Sequence, residues 1–400
     1  MKRPVFIISG VVIILILIAI WVYMLFFGSP KNADDTFADL NLGDTTDTSY
    51  IENTDTTDGE AVVDLSSPDR LRQLTTKPVI GFNEFVKDAS STPAILYVEA
   101  GTGHVFSIDL ETGEESRLSG TTIPSSQEAE ITPNGKYIMY RSGEGSGRTY
   151  LVGTISSTTN ELSTSDLDES IISFSATNDN HFLYAVKTQN STIGKSYNPE
   201  DKTSKTLFTL PFRDATIDWG STASDSHFAY PKTTSKLESF LFKIDSTKIS
   251  RLPIDGYGMS ASGNNDLVIY SKQDNGEYKT FFYNISEDLV TKHVLTTIPE
   301  KCAFSTNNSE LVICAQSTIN NNLNIPDSWY SGETYFADSI WQTTLAGSAT
   351  MLINTESESG RELDIVDIDL GVDDKNIYFL NKNDKTLWLY ERVQSLSNPS

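Results

Sequence analysis

The feature that most constrains the fold is a hairpin pattern that recurs along the chain. Residues 131–140, "ITPNGKYIMY", place an Asn-Gly turn between strand-forming residues, which is typical of a β-hairpin. Similar polar tips recur every 40–46 residues, with a last interval of 66, and centre on Asn134, Asp179, Asp225, Asn265, Asn308 and Asp374. One short hairpin cannot bury its own apolar face, so we expect the repeats to pack against one another.

The length of the repeat predicts the fold class. A repeat of 40–45 residues that divides into four short strands is typical of propeller blades. The apolar spacing of an amphipathic helix is almost absent beyond residue 30. Seven units fit between residues 69 and 394, and six is the main alternative count. The sequence therefore predicts an all-β, seven-bladed β-propeller over residues 69–394.

The ring is predicted to close through its own leading segment. The last unit supplies only three strands before "QSLSNPS", whereas "RLRQLT" ahead of the first unit resembles the "ESRLSG" that ends it. We expect the leading segment to complete the last blade as its outer strand, because closure removes an open sheet edge. This segment contains Arg70, Leu71, Arg72, Gln73, Leu74 and Thr75.

Charge excludes one class of partner and marks a linker. The net charge of −24 argues against nucleic acid, whose phosphates select basic surfaces. Eleven acidic residues and no Lys or Arg lie between Asn32 and Asp69. Low hydrophobicity and self-repulsion predict a disordered acidic linker over residues 28–68, and residues 395–400 form a short tail.

The first thirty residues predict a membrane anchor. Residues 4–28 carry no charge and are long enough to cross a bilayer, which gives a transmembrane helix over residues 5–27. Lys2 and Arg3 precede it, so residues 1–4 are a cytoplasmic tip and the propeller is extracytoplasmic in a single-pass protein. A cleaved signal peptide is the competing interpretation. The apolar run is longer than such peptides have and lacks a small-x-small cleavage site.

The repeats resemble a known group of propellers. The tip "TPNGKYIMY" is similar to the Ser/Thr-Pro-Asn/Asp-Gly-Lys tips of TolB-like repeats, which are related to WD-type propellers. The whole chain resembles membrane-anchored propeller proteins of ultrasmall candidate-phylum bacteria. The similar segments lie between residues 70 and 390 and include "RLRQLTTKPVIGF", "GTGHVFSIDL", "TTIPSSQEAEITPNG", "CAFSTNNSELVICA", "PDSWYSGETYFADSIW" and "NKNDKTLWLY". The resemblance implies a propeller and a surface anchor, and it implies no activity.

Two cysteines flank the sixth hairpin tip. Cys302 and Cys314 are equally distant from Asn308, so a hairpin centred there places them directly opposite each other. Opposed positions suit a disulfide, and an exported location permits one. Two buried thiols are the alternative. Zinc is not predicted, because no His or second Cys pair stands nearby.

An insertion makes the sixth unit about 20 residues too long. The excess, residues 317–341, is rich in aromatic and acidic side chains. Loops on a rigid scaffold often carry recognition, and exposed Trp and Tyr are favoured anchors. The candidate ligand or partner surface is Trp329, Tyr330, Asp327 and Glu333, with the two aromatic residues the best exposed candidates. In the alternative interpretation, "TYFADSIWQTTL" is a third strand whose Tyr335 and Trp341 pack between blades.

Catalysis and metal binding find little support. The four histidines (His104, His181, His227 and His293) fall in different blades, and no Gly-x-Ser-x-Gly motif occurs. Asp364 to Asp374 hold five carboxylates, but their spacing is not that of a calcium loop, and solvated hairpin tips are the simpler interpretation. No catalytic residue, metal ligand or cofactor is predicted.

Two functions remain as hypotheses. The first is a non-enzymatic binding or scaffolding propeller for a protein or an envelope polysaccharide, held on the outside of the membrane. The alternative is a carboxylate-dependent glycan or peptide hydrolase or lyase that uses the funnel of the propeller. This alternative predicts a close pair of carboxyl groups on the inner strands.

Overall fold

The computed structural model describes residues 70–392, except for 87–92, 157–160, 168–169, 247, 309–310, 318–323 and 345–347. The predicted cytoplasmic tip, transmembrane helix, acidic linker and C-terminal tail lie outside the described residues. Within the described ranges, none of the helices has the length and apolar character needed to span a bilayer.

The described strands form seven four-stranded antiparallel sheets, and the prediction of a seven-bladed propeller is confirmed. The first described strand is β1 (Leu71–Gln73), and blades one to three then contain β2 (Val79–Phe85), β3 (Ala94–Glu99), β4 (Val105–Asp109), β5 (Glu115–Arg117), β6 (Ser126–Ile131), β7 (Tyr137–Ser142), β8 (Thr149–Ile155), β9 (Leu162–Leu167), β10 (Ile171–Ala176), β11 (Phe182–Lys187), β12 (Thr192–Asn198) and β13 (Thr203–Leu210). Blades four to six contain β14 (Ala215–Asp218), β15 (His227–Pro231), β16 (Glu238–Asp245), β17 (Lys248–Tyr257), β18 (Ser260–Gly263), β19 (Leu267–Asp274), β20 (Glu277–Asn284), β21 (Leu289–Lys292), β22 (Cys302–Phe304), β23 (Val312–Gln316), β24 (Ser339–Thr343) and β25 (Ala349–Asn354). Blade seven contains β26 (Ile365–Leu370), β27 (Asn376–Asn381) and β28 (Leu387–Glu391). The described helical segments are α1 (Asp327–Tyr330), α2 (Thr355–Ser359) and two 3₁₀ turns, Gly145–Gly147 and Pro299–Lys301.

The first strand of each blade lines the centre of the ring. Neighbouring first strands approach closely: a Cβ on Gly81 of β2 would lie 2.0 Å from the carbonyl oxygen of Ala129 in β6. The amide of Asn83 also donates to the carbonyl of Ile131, at 2.8 Å. We call the space enclosed by the first strands the channel. The tip face of the ring carries the turns between first and second strands, and the opposite loop face carries the connections between blades and between second and third strands.

The core lies between neighbouring blades. The second strands are the most buried, because blades pack on both of their faces; β3, for example, buries five of its six residues. Tyr97 of blade one packs in one cluster with Leu74, and with Tyr378 and Leu389 of blade seven. Such clusters hold the sheets in a ring.

The leading strand completes blade seven. β1 pairs antiparallel with β28, and Leu71 lies opposite Tyr390. The side-chain hydroxyl of Thr75 accepts the backbone N–H of Leu387 at 3.0 Å. Blade seven therefore has four strands, in the order β1-β28-β27-β26.

Candidate functional site

Carboxyl groups line the channel at two levels. First strands start at the loop face and end at the tip face, so a residue's place along its strand sets its depth in the channel. The two levels are Glu128, Glu300 and Asp367 toward the loop face, and Glu130, Asp218 and Asp369 toward the tip face. Glu128 pairs with Arg141 at 2.7 Å. The other five make no ion pair with any described residue.

The channel raises the pKa of the three carboxyl groups of the tip-face level. Removal from bulk water raises the pKa of Glu130 to about 8, and neighbouring carboxylates add to this. The same cause raises the pKa of Asp218 to about 7 and that of Asp369 to about 6. The side chain of Asp369 is exposed to the channel, where the surrounding blades separate it from bulk solvent. Near neutral pH, the tip-face level is therefore partly protonated.

The channel widens at the tip face into a cavity of about 890 Å³. Its lining includes Asp218 and Asp369 of the channel wall, two aromatic side chains, Trp219 and Phe304, and many hydroxyl and amide groups. The other polar lining residues are Ser175, Asn178, Ser221, Asp225, Ser226, Ser262, Asn264, Asn265, Asp266, Asn284, Ser305 and Thr306. No Lys, Arg or His is among the described residues that line the cavity.

Hydrogen bonds between neighbouring hairpin tips build the rim of the cavity. The backbone N–H of Asn178 donates to the carbonyl of Ser221 at 2.9 Å, which joins blades three and four. The backbone N–H of Ser226 donates to the side chain of Asn265 at 3.0 Å, which joins blades four and five. The hydroxyl of Ser305 donates to Asp374 at 2.6 Å, which joins blades six and seven. The rim is thus fixed by its own backbone and side chains.

Residues 324–338, which we call the cap segment, cross the loop face. The carboxylate of Asp327 accepts the backbone N–H of Ser235, at 2.9 and 3.1 Å, and its hydroxyl, at 2.7 Å. The amide of Gln273 donates to the carbonyl of Ile325 at 2.9 Å. The cap segment is therefore tied to blades four and five as well as to its own blade six.

A buried ion cluster anchors the cap segment to blade seven. The ammonium of Lys301 lies 2.5 Å from a carboxylate oxygen of Asp338 and of Asp364. The indole N–H of Trp329 donates to Asp364 at 3.0 Å. Lys382 donates to the carbonyl of Trp329 and lies 4.0 Å from the centre of its ring. Burial raises the pKa of Asp338, and the charge of Lys301 opposes that rise.

Tyr330 projects from the cap segment over the loop-face end of the channel. Its hydroxyl donates to a carboxylate oxygen of Glu300 at 2.5 Å. Removal from water raises the pKa of Glu300, and the hydrogen bond from Tyr330 opposes that rise. Glu300 lies in the 3₁₀ turn that leads into β22, so this contact lies close to where the first strand of blade six begins.

The four residues of the predicted recognition surface differ in their exposure to solvent. Trp329 is only 4% exposed, which corrects the expectation that it is free for a ligand; its indole is taken up by the buried ion cluster. The carboxylate of Asp327 accepts hydrogen bonds from Ser235. Tyr330, at 46%, and Glu333 remain exposed.

The alternative interpretation of the insertion also needs correction. The third strand of blade six begins at Ser339, so Tyr335 precedes it and is 59% exposed rather than packed between blades. Trp341 lies within β24 opposite Cys314. The cap segment is held by polar contacts, which the apolar spacing of the sequence does not reveal.

The two cysteines lie directly opposite each other in β22 and β23 and form a disulfide. Both are buried, next to Ile269 and Phe282 of blade five. The disulfide fixes the hairpin of the blade that carries the cap segment.

Sequence reasoning missed the carboxyl groups of the channel. Asp367 and Asp369 belong to the inner strand β26 rather than to a solvated tip, and Asp364 is buried beside Lys301. Glu130 and Asp218 lie just before hairpin tips, at the ends of β6 and β14, and that shared place was the available signal. No group of His, Cys, Asp and Glu within the described ranges is arranged to hold a metal ion.

Comparison with known proteins supports the fold. No protein-family model matches the chain, and no curated protein matches it. The propeller domain of the Trilobed protease from Pyrococcus furiosus, which has an open velcro topology, is similar at a TM-score of 0.50 and 11% identity, over 81% of this chain and 100% of that one. Oligogalacturonate lyase from Vibrio parahaemolyticus is similar at 0.50 and 12%, over 79% and 98%. TolB from Acinetobacter baumannii is matched at a TM-score of 0.40 and 13% identity, over 62% of this chain and 58% of that one. At these identities, the likeness to the first two shows the fold alone, a β-propeller.

Proposed function

We propose that this protein is a membrane-anchored, extracytoplasmic binding propeller that holds an amino-bearing polysaccharide of the cell envelope in the tip-face cavity. The observation that carries the proposal is the composition of that cavity, which has a volume of about 890 Å³. Its described lining combines carboxyl, hydroxyl and amide groups with two aromatic rings, and it contains no basic side chain. Large concave sites of this kind are the default ligand sites of proteins.

The charge of the lining selects the class of ligand. Asp218 and Asp369 have no cationic partner among the described residues, so an anionic ligand meets uncompensated repulsion. A protonated amine on the ligand compensates the negative charge of these two carboxylates. Sugar hydroxyls can form hydrogen bonds with the Ser, Thr and Asn side chains of the lining. The lining also includes Trp219 and Phe304, and aromatic rings are the side chains on which sugar rings stack.

The proposed location is supported by the sequence of residues 1–68. The uncharged run at residues 4–28 behind Lys2 and Arg3 favours a retained anchor, and the acidic segment after it favours a spacer. Carbonate extraction of membranes tests the anchor, and protease treatment of intact cells tests the orientation. Release by carbonate, or protection of the propeller in intact cells, contradicts this part of the proposal.

The ligand class is tested by calorimetry on the full-length protein in detergent. The probes are a chitosan hexamer, its fully N-acetylated counterpart, an oligogalacturonate hexamer and a lysine pentapeptide. We expect the chitosan hexamer to bind, the N-acetylated hexamer to bind at least about tenfold more weakly, and the galacturonate not to bind. The variant Asp218→Asn/Asp369→Asn removes specific binding, whereas Glu333→Gln, at an exposed position outside the cavity, is the matched control. Stronger binding of the lysine peptide than of any sugar indicates a protein partner and overturns the proposal.

A second candidate function is favoured by the pKa values of the tip-face carboxyl groups. Glu130, with a pKa of about 8, keeps its proton at neutral pH while Asp369, with a pKa of about 6, is largely ionised. Glycan-cleaving enzymes combine a protonated carboxyl group with an ionised one, and Glu130 and Asp369 differ in protonation in the same way. If the propeller is a hydrolase or lyase, new reducing ends form from the chitosan hexamer, and Glu130→Gln slows this at least about 100-fold. No new ends in a prolonged incubation excludes this function for that substrate.

A further inference from the structure

The two ends of the channel differ. The tip-face end widens into the cavity, where Asp218 and Asp369 form part of the wall. At the loop-face end, the hydroxyl of Tyr330 bonds to Glu300, 2.5 Å away. Glu300 lies at the loop-face end of the channel, in the turn before β22, where it directly contacts Tyr330.

The hydroxyl of Tyr330 is enclosed by several blades. Burial raises the pKa of this hydroxyl, and Glu300 of blade six, Tyr230 on β15 of blade four and Tyr278 on β20 of blade five are near enough to add to that rise. The hydroxyl of Tyr278 in turn lies 3.0 Å from that of Ser260, where the first strand of blade five begins. Groups from three blades thus converge on the hydroxyl of Tyr330, and the rest of its side chain is exposed on the loop face.

The backbone on both sides of Tyr330 is fixed. Asp327 is bonded to blade four, and Trp329 is bonded to blade seven through Asp364. A Cβ on Gly258 would lie 3.2 Å from the ring of Pro326, so the cap segment also abuts the connection between blades four and five. The cap segment therefore has contacts on two sides of the channel axis that hold Tyr330 in place.

We infer that the channel is closed at the loop face by Tyr330, so that a polymer is recognised in the tip-face cavity by its end rather than along its length. This inference rests on the proposed function and deepens it. A chain cannot pass through a channel that has one open end, and only a terminal sugar, or a short run of terminal sugars, reaches Asp218 and Asp369. A pore open at both faces would instead accept internal segments of a long chain.

The test is the number of proteins bound per chain as the chain lengthens. Full-length protein in detergent is titrated with chitosan chains of about 4, 8, 16 and 32 sugars, and stoichiometry is measured by calorimetry and sedimentation velocity. Binding that remains in Asp218→Asn/Asp369→Asn is subtracted as surface attraction, since the whole chain is acidic. We expect the number of proteins per chain to stay constant over this eightfold range of length.

Three variants examine the role of Tyr330. Tyr330→Ala opens the loop-face end, and we expect stoichiometry to rise with chain length. Tyr330→Phe keeps the ring but loses the bond to Glu300, so we expect its stoichiometry to rise with chain length less steeply than that of Tyr330→Ala. Tyr335→Ala is the matched control, because Tyr335 is an equally large exposed side chain of the cap segment and has no bond to Glu300. Far-UV circular dichroism and the unfolding midpoint of each variant establish that the ring is intact.

The outcomes separate this inference from the proposed function. No specific binding at any length overturns the proposed function and end recognition with it. If the unaltered protein binds specifically and the number of proteins per chain grows in proportion to chain length, the proposed function is retained and end recognition is overturned. Constant stoichiometry in Tyr330→Ala as well overturns the assignment of Tyr330 as the closing residue.

Discussion

The ammonium of Lys301 lies 2.5 Å from Asp338, and both side chains are buried. Lys301 leads into the first strand of blade six, whereas Asp338 ends the cap segment, so this ion pair fixes the cap segment to the ring. A buried charge is tolerated because it is paired: Asp364 supplies a second carboxylate to the same ammonium.

Removal of the buried cation is predicted to destabilise the protein strongly. Lys301→Met leaves two buried carboxylates without their counter-ion, and we expect a loss of about 3–5 kcal/mol in the free energy of unfolding. Urea titration measures this loss. The control is Lys187→Met, which breaks the ion pair with Asp214 at the surface and costs less than about 1 kcal/mol. Equal losses in the two variants contradict the structural role of Lys301.

The channel carboxyl groups are predicted to make stability fall as pH rises from about 6.5 to about 8, above the range in which His227, with its pKa lowered to about 4 by burial, acts in the opposite direction. The pKa of Glu130 rises from an ordinary value of 4.5 to about 8 in the folded protein, so the folded state binds more protons than the unfolded state in this window. Asp218 and Asp369, with pKa values raised to about 7 and about 6, act in the same direction at the lower end of the window. Urea unfolding at several pH values checks the sign.

Glu130→Gln isolates one of these contributions. The amide of the variant cannot bind a proton, so the variant lacks one group that stabilises the folded state at low pH. We therefore expect its free energy of unfolding to fall less between low pH and pH 8 than that of the unaltered protein. Glu333→Gln, at an exposed position, leaves the slope unchanged. A slope that is the same in Glu130→Gln and in the unaltered protein would show that Glu130 is ionised throughout.

The disulfide is predicted to stabilise blade six by up to about 3 kcal/mol, because it closes a loop in the unfolded chain. Its two cysteines are 12 residues apart. Reductant should lower the urea midpoint of the unaltered protein and leave that of Cys302→Ala/Cys314→Ala unchanged. A reductant effect that persists in the double variant would point to another cause.

The junction of β1 and β28, which closes the ring, is predicted to tolerate little change at Leu74. This residue is buried with Val79, Tyr378 and Leu389, so Leu74→Ala should cost about 2–5 kcal/mol. Leu237→Ala removes the same atoms from a side chain that is 57% exposed, and stays within about 0.5 kcal/mol. Hydrogen exchange in β28 provides a second readout, since loss of β1 pairing exposes its amides. Unchanged protection in Leu74→Ala indicates that β1 stays paired.

The repeats of the fold were accessible from the sequence because they depend on local patterns. Turns at Asn134 and Asp179 occupy the predicted places between first and second strands, since Asn, Asp and Gly supply the turn chemistry themselves. The opposition of Cys302 and Cys314 follows from hairpin symmetry in the same way.

The site could not be predicted to the same depth, because its contacts join distant parts of the chain. In the sequence, Trp329 has the character of an exposed aromatic anchor. Its hydrogen-bond partner Asp364 lies 35 residues away, so the sequence does not reveal that the indole is bound. The strand that carries Asp367 and Asp369 leads directly into an acidic turn at Asp373 and Asp374, and the sequence does not show that its two carboxyl groups face the channel rather than solvent. Long-range polar contacts leave no periodic trace in a single sequence.

Arg72 of β1 and Glu391 of β28 form an ion pair across 319 residues of chain. During synthesis, β1 is made before all the other strands of the ring, and its partner β28 is made after them. The ring cannot shut on a nascent chain until nearly all of blade seven has emerged, and folding has to retain β1 unpaired for that time. A chain that ends before β28 therefore leaves β1 without its partner strand.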